Sequence, residues 1–315
     1  MPKLSIIVPV YYNAESLDRL YNSFMEEIIP NIDDYEIIMV DDGSGDNSWE
    51  KLNELAAKND KIKIARLSRN FGSHAAVMAG FSLATGDCVV SKAADLQEPA
   101  SLIVDMYKSW KSGNKVVLGV RKARQEKKSK QAAANMYYWL VRKFALSNMP
   151  PKGFDICLMD RSVLEVLQLM DEKNSAITLQ VLWTGFKHDI VEYVRLERKE
   201  GKSRWTLKKK IKLSIDSLIG FSYVPIRFME FTGVAFFVTA IIWALYVLIS
   251  KLAGKIVVMG WSSMMILILF SFGLIMVTLG VLGEYIWRIF DASRNRPLYI
   301  FDEVKGKGED EDGSK

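Results

Sequence analysis

Four short polar clusters carry most of the side chains in this chain that could do chemistry, and each follows directly on an apolar run. They are Pro9-Val10-Tyr11-Tyr12-Asn13-Ala14-Glu15, Asp41-Asp42-Gly43-Ser44-Gly45-Asp46-Asn47-Ser48, Ser68-Arg69-Asn70-Phe71-Gly72 and Ala94-Asp95-Leu96-Gln97-Glu98-Pro99. Carboxylates and amides gathered in this way suit a ribose, the edge of a base and a hard cation holding a pyrophosphate. Any one cluster could equally be loop capping, and Asp46 and Ser48 could simply cap the next helix. Four together argue for a site. Other chemistries find no support. There is no G-x-G-x-x-G and no G-x-x-x-x-G-K-[ST], so neither a dinucleotide site nor a P-loop is indicated. His74 and His188 are too few and too scattered for zinc, and no serine has a matched His–Asp arrangement. Cys88 and Cys157 make no disulfide framework and suit a reducing compartment.

The elements that must position these clusters are legible as alternation. Leu4–Val10, Tyr35–Val40, Ile62–Leu67, Cys88–Ser91 and Val116–Gly119 read as buried strands. Glu15–Ile29, Ser48–Asn59, His74–Thr85 and Pro99–Ser112 read as helices between them. Such alternation builds an α/β fold, a mostly parallel Rossmann-like sheet covered on both faces. Ligands of such sheets bind beyond the carboxyl ends of the strands, which is where the clusters fall. The chain runs from Met1-Pro2-Lys3 into its first strand, so no cleavable signal is expected.

Hydropathy divides the chain. Half of its 315 residues are apolar and a quarter charged, with a net charge of +5, which excludes a disordered or collagenous chain. Twenty residues between Glu230 and Lys251 carry no charge, and neither do twenty-eight between Lys255 and Glu284. A helix needs about 20 apolar residues to cross a bilayer, so two spans are expected; a buried hairpin of a soluble domain would keep one face polar. Arg198–Lys212 holds eight basic residues and one acid, and Arg288, Arg294 and Arg296 follow the second stretch. The positive-inside bias then places both termini in the cytoplasm. From Trp205 to Tyr223 basic residues alternate with Leu207, Ile211, Leu213, Ile215, Leu218 and Ile219 at helical spacing. That pattern predicts an amphipathic interfacial helix on the inner leaflet, the bland alternative being a solvated basic helix. The expected domains are a cytoplasmic catalytic domain (1–204), the interfacial helix (205–227), a two-span transmembrane hairpin (228–290) and a cytoplasmic arm and tail (291–315). The tail GKGEDEDGSK has a disordered composition.

The segments VPVYYNAE, VDDGSGDNS, LSRNFG, ADLQEP, GVRKAR, GFDICLMDR and RKEGKSRW occur in the order seen in family 2 glycosyltransferases. The chain closely resembles the membrane-bound branch that loads a sugar onto polyprenyl phosphate, as bactoprenol glucosyltransferases and dolichyl-phosphate mannose synthases do. The spans and the closing GEYIWRIFDASRNRPLYI match its two-helix bacterial members, and the resemblance covers about residues 3 to 302. It implies a glycosyltransferase A-type fold. Pro9, Tyr11 and Glu15 would line the nucleotide pocket, Asp42 would receive the base or ribose, and Arg69 and Asn70 would sit nearby. Asp95 and Gln97, from the family's D-x-D-x-Q motif, would bind Mg2+ or Mn2+. Such a cation bridges diphosphate oxygens and neutralises charge on the leaving nucleotide.

One departure stands out: the first aspartate of D-x-D is Ala93 here. That thins the metal site to Asp95 and Gln97, which is workable for an ion held mainly by phosphates and water, and leaves an inactive member or an altered sugar preference as alternatives. On the acceptor side the resemblance assigns Gly119, Arg121 and Arg124, then Arg198, Ser203 and Arg204, to the lipid phosphate; guanidinium groups grip phosphate in forked pairs. Arg204 stands where lysine is common. Asp155 matches the position proposed as catalytic base, although an already anionic phosphate scarcely needs one. Asp160 could simply cap a helix from Arg161.

The expected activity is inverting transfer from a nucleotide-diphospho sugar, by resemblance a UDP-sugar such as UDP-glucose, to polyprenyl (undecaprenyl) phosphate at the inner membrane. The alternatives are another lipid acceptor, or a nucleotide-sugar-binding membrane protein without turnover. Nucleic acid is not an expected partner; a homo-oligomer is admitted by resemblance, with RNRPLYI as an arm that could be exchanged.

Overall fold

The computed structural model describes residues 1–122, 128–170, 172, 176–196, 214, 216–217, 219–253 and 260–306. It divides into two compact units, one formed by Met1–Gly220 with Pro297–Lys315, the other by Phe221–Arg296. Of the interfacial helix expected over 205–227, residues 205–213, 215 and 218 lie outside the described residues.

In the first unit the strands are β1 (Lys3–Val10), β2 (Asp34–Asp41), β3 (Ile62–Leu67), β4 (Cys88–Ser91), β5 (Val116–Arg121), β6 (Ile156–Asp160), β7 (His188–Tyr193) and β8 (Phe301–Lys305). The helices are α1 (Ala14–Ser23), α2 (Ser48–Lys58), α3 (Ser73–Leu83), α4 (Ala100–Lys111), α5 (Lys128–Phe144), α6 (Arg161–Gln168) and α7 (Ile177–Trp183). The strands form one sheet in the order β7-β5-β6-β4-β1-β2-β3-β8. The pairs β1–β2, β1–β4, β2–β3 and β5–β7 are parallel, as alternation predicts. The chain reverses in β6, which runs antiparallel between β4 and β5. Leu4, Ile6, Ile7, Val8, Ile37, Ile38, Met39 and Val40 are wholly buried, as strands covered on both faces require.

The helix expected over Glu15–Ile29 ends at Ser23, continues as a π-turn over Phe24–Ile28 and closes as a 3-10 turn over Ile29–Asn31. Pro30 lacks the N–H that a continuing helix would need. Asp160 caps α6 as expected, its carboxylate accepting from the Ser162 N–H at 3.0 Å.

β8 lies far along the chain yet completes the sheet. It pairs antiparallel with β3, Ala65 opposite Val304 and Leu67 opposite Phe301. The Ser68 N–H donates to the Ile300 carbonyl at 3.0 Å, and the Lys305 ammonium reaches Asn53 at 2.9 Å.

The second unit holds α8 (Val224–Leu252) and α9 (Trp261–Ser293). Their apolar stretches, Ile226–Leu252 and Met264–Ser293, have mean hydropathies of 2.3 and 2.7 and are long and apolar enough to cross a bilayer. Phe236 stacks on Phe270 at 5.3 Å between ring centres. Phe231, Phe237, Ile242, Trp243, Ile266 and Leu269 are exposed.

Candidate active site

Parallel registry aligns the strand ends that carry the clusters. Val10 is paired with Asp41, and Asp41 with Arg66, so the segments following β1, β2 and β3 emerge at one edge. Side chains then lace them together. The Tyr12 N–H donates to Ser44 Oγ at 3.0 Å, and the Asn13 N–H to Ser48 Oγ at 3.1 Å. Ser16 Oγ donates to the Ala94 carbonyl at 3.0 Å, fastening α1 to the segment after β4. Tyr12 has a φ of 56°, a conformation uncommon outside glycine and one that clusters at functional loops.

Asp42 is buried, and both carboxylate oxygens are engaged, by the Phe71 N–H at 2.7 Å and the Gly72 N–H at 2.9 Å. Burial pushes its pKa up, against the lowering effect of those two N–H groups. Asp42 thus holds the 69–72 loop in place; each oxygen keeps a second lone pair for a ligand. Gly43 makes this junction fit, since at φ 64° a Cβ would come within 2.7 Å of the Arg69 backbone. Pro9 and Tyr11 are half-buried at this edge; Glu15, Arg69 and Asn70 are exposed, and the Arg69 guanidinium lies 4.0 Å from the centre of the Phe71 ring.

Asp95 and Gln97 flank Leu96, whose φ is 55°. The Gln97 N–H donates to Asp95 Oδ1 at 3.2 Å. Gln97 Oε1 accepts from Arg195 Nη2 at 2.5 Å, its Nε2 reaches the Leu196 carbonyl at 3.4 Å, and its own carbonyl accepts the Leu196 N–H at 2.9 Å. Among the described residues no three His, Cys, Asp or Glu side chains converge as a metal cage. The Asp95 carboxylate is of the kind that would fit a hard cation held otherwise by phosphate and water. Beneath this loop the Lys92 ammonium is buried, donating to the Glu98 carbonyl at 2.6 Å.

The antiparallel β6 brings the remaining group together. Gly119 pairs with Ile156, and Arg121 with Tyr193 on β7, so Asp155, Arg121 and Tyr193 share the same edge. Gly119 permits this, because a Cβ there would collide with the Ile156 side chain. Arg121 donates through Nε at 2.5 Å and Nη2 at 2.7 Å to the two oxygens of Asp155, and the Tyr193 hydroxyl adds a third bond at 2.7 Å. The Tyr193 hydroxyl is pushed up by burial and by the Asp155 charge. Burial pulls on the Arg121 guanidinium, yet Asp155 carries the net shift upward. The result is a permanently charged guanidinium held in a fixed plane.

Of the residues assigned by resemblance, those around β1 to β4 and the Arg121–Asp155 pair are thus collected at the carboxyl edge. Arg124, Arg198, Ser203 and Arg204 lie outside the described residues. Tyr193 and Arg195 were not expected. A strand over residues 188–193 following apolar α7 would have exposed them, but its residues HDIVEY are half polar and half-buried.

Residues 5–168 match the profile of glycosyl transferase family 2. The chain is 38% identical over 303 residues to an uncharacterized glycosyltransferase, YkcC, of Bacillus subtilis, covering 96% of this chain and 94% of that protein. It is 32% identical over 308 residues to the bactoprenol glucosyl transferase of Shigella phage SfV, covering 97% and 100%. Among solved structures it resembles the mannosyltransferase PcManGT of Pyrobaculum calidifontis, in complex with GDP-Man and Mn2+, with a TM-score of 0.52, 18% identity and coverage of 70% of this chain and 64% of that one. That likeness is one of fold, the glycosyltransferase A type.

Proposed function

The chain belongs to glycosyl transferase family 2, and from that premise we propose that it moves a hexosyl group from a nucleoside-diphosphate sugar to polyprenyl phosphate, with inversion. UDP-glucose is the first donor to test. The observation that carries the reading is the Arg121 guanidinium locked by Asp155 and Tyr193 at 2.5–2.7 Å on the edge where the donor clusters gather. A fixed guanidinium suits an oxyanion that must be held and aimed. The names of full-length relatives such as the bactoprenol glucosyl transferase support a polyprenyl phosphate acceptor.

In this mechanism a phosphate oxygen of the lipid attacks the anomeric carbon from the face opposite the nucleotide. The bond to the diphosphate oxygen breaks, and the nucleoside diphosphate leaves with the bonding electrons. The lipid phosphate is largely ionised at neutral pH, so no carboxylate is required to take a full proton. Asp155 acts on Arg121 by holding its plane, while Asp95 would hold Mg2+ or Mn2+. When bound, that cation supplies neutralisation of the leaving diphosphate.

Both long apolar helices cross the membrane in this reading, with the catalytic unit and both termini in the cytoplasm. Basic residues flank the spans on that side. The pairing of β8, which follows both helices, with β3 supports an even number of crossings. A membrane location also concentrates an acceptor that never leaves the bilayer. The test is turnover of labelled UDP-glucose with purified polyprenyl phosphate, read as a lipid-extractable product. Ala93 favours a second reading, a nucleotide-sugar-binding membrane protein; donor binding without product would establish it.

A further inference from the structure

The Gln97 contacts join two parts of the sheet that are distant in every other sense. Gln97 follows β4 and Arg195 follows β7, and β6 and β5 stand between those strands. Yet Gln97 is bound to Arg195 and Leu196 by three polar contacts, at 2.5, 2.9 and 3.4 Å. The residues immediately after Leu196 are Glu197 and then RKEGKSRW, the segment read above as the grip on lipid phosphate. Leu96, next to Gln97, is held at φ 55°, a strained geometry that persists only where neighbours over-determine it. Here the Asp95 side chain fixes it from one side and the Arg195–Leu196 segment from the other. Arg195 commits deeply to this contact, since its Nε is buried with no hydrogen-bond partner among the described residues. The Arg195 guanidinium beside that amide oxygen also sets a positive charge against any cation there.

We propose that Gln97 serves as a clasp between the donor loop and the acceptor segment instead of as a metal ligand, and that Arg195 is its partner. Both are positioning residues. The clasp ties the loop carrying Asp95 to Arg195 and Leu196, the residues that follow β7 and precede the acceptor motif in the sequence. With Gln97 so engaged, Asp95 is the side chain left to meet the cation, in keeping with the loss of the motif's first carboxylate at Ala93. This proposal rests on the assignment of residues 198–204 to the acceptor.

Two readouts test it: calorimetric UDP binding as a function of Mn2+ without acceptor, and steady-state KM for polyprenyl phosphate. Gln97→Ala and Arg195→Leu should each raise acceptor KM by about tenfold while leaving the Mn2+ half-saturation within about twofold, because misplacement alone carries a cost of this order. The double variant should be no worse than either single one, the signature of a shared contact. Gln97→Glu, which keeps an oxygen facing Arg195, should restore acceptor KM. A tenfold shift in Mn2+ half-saturation for Gln97→Ala with acceptor KM unchanged would make Gln97 a cation ligand and overturn the clasp. Wild-type turnover with some other acceptor only would sink the polyprenyl reading alone, because the same split is then measured with that acceptor.

Discussion

At the scale of single residues, the distinction that matters is between a carboxylate that takes a proton and one that holds a cation in place. Asp155 accepts three bonds, two from Arg121 and one from Tyr193, and in the proposed mechanism it has the second task. Tyr193→Phe deletes one charge-assisted bond, worth about 1.5–3 kcal/mol. It should lower kcat/KM for the acceptor by about tenfold or more with UDP affinity unchanged. In Asp155→Asn the rate should fall while the acid limb of the pH–rate profile stays near pH ~6, where the lipid phosphate gains its second charge. Disappearance of that limb in the variant would show that the carboxylate itself had been titrating. Asp95 poses the complementary case. It sits in a half-buried loop, not in the core, so Asp95→Ala should abolish transfer with an unchanged melting temperature. Activity surviving in that variant, or in excess chelator, would remove metal assistance.

Among the elements, the central sheet is braced by Glu36 on β2, which is 5% exposed. It accepts from Ser5 Oγ at 2.6 Å, the Thr85 N–H at 2.6 Å, the Gly86 N–H at 3.1 Å and the Lys3 ammonium at 3.0 Å. Burial pushes its pKa up, but the bonds from Ser5, Thr85 and Lys3 outweigh it, and the net shift is downward. A depressed carboxylate stabilises the fold fully above its unfolded pKa, about 4.3, and loses that contribution as pH falls through the folded value. Glu36→Gln should therefore cost about 2 kcal/mol near neutrality and flatten the acid limb of stability, measured by denaturant titration at several pH values. β8 makes a different demand. Its pairing supplies the Ser68 N–H with a partner at the root of the Arg69–Phe71 loop, so a chain ending at Arg296 should bind UDP weakly; undiminished affinity would show the loop to be self-supporting. The strands β1 to β5 and their helices were legible because each is a buried apolar run bounded by turn residues. β6 was not: ICLMD is short, its alternation is absent, and its reversed direction comes from its neighbours. Nor was β8, since FDEVK is a polar edge strand whose only reason to be extended is β3. The strand-end clusters, and Arg121 and Asp155 as single residues, could be found by motif, whereas the Arg121–Asp155 pairing, Tyr193 and Arg195 acquire their meaning only when β6 and β7 are laid beside β5.

For the molecule as a whole, the open matter is how it meets a bilayer. On the proposed topology, a membrane-impermeant maleimide added outside intact cells should label a cysteine placed at Gly254 and spare one at Gly308; the reverse would turn the catalytic unit outward and deny it a cytosolic donor. The native thiols will not blur this, since Cys88 and Cys157 are buried and burial pushes Cys157 up to about 12. The pairing of β8 with β3 has a further consequence in time. A ribosome makes β3 early and β8 only after both apolar helices have been made. Until then the β3 edge is an open row of N–H and C=O groups, and the loop at its end lacks the bond from Ser68 to Ile300 at its root. Translation at about 5–20 residues per second leaves that edge bare for many seconds. The nascent protein therefore closes the β3 edge beside the Arg69–Phe71 loop last, once both long apolar helices have been made.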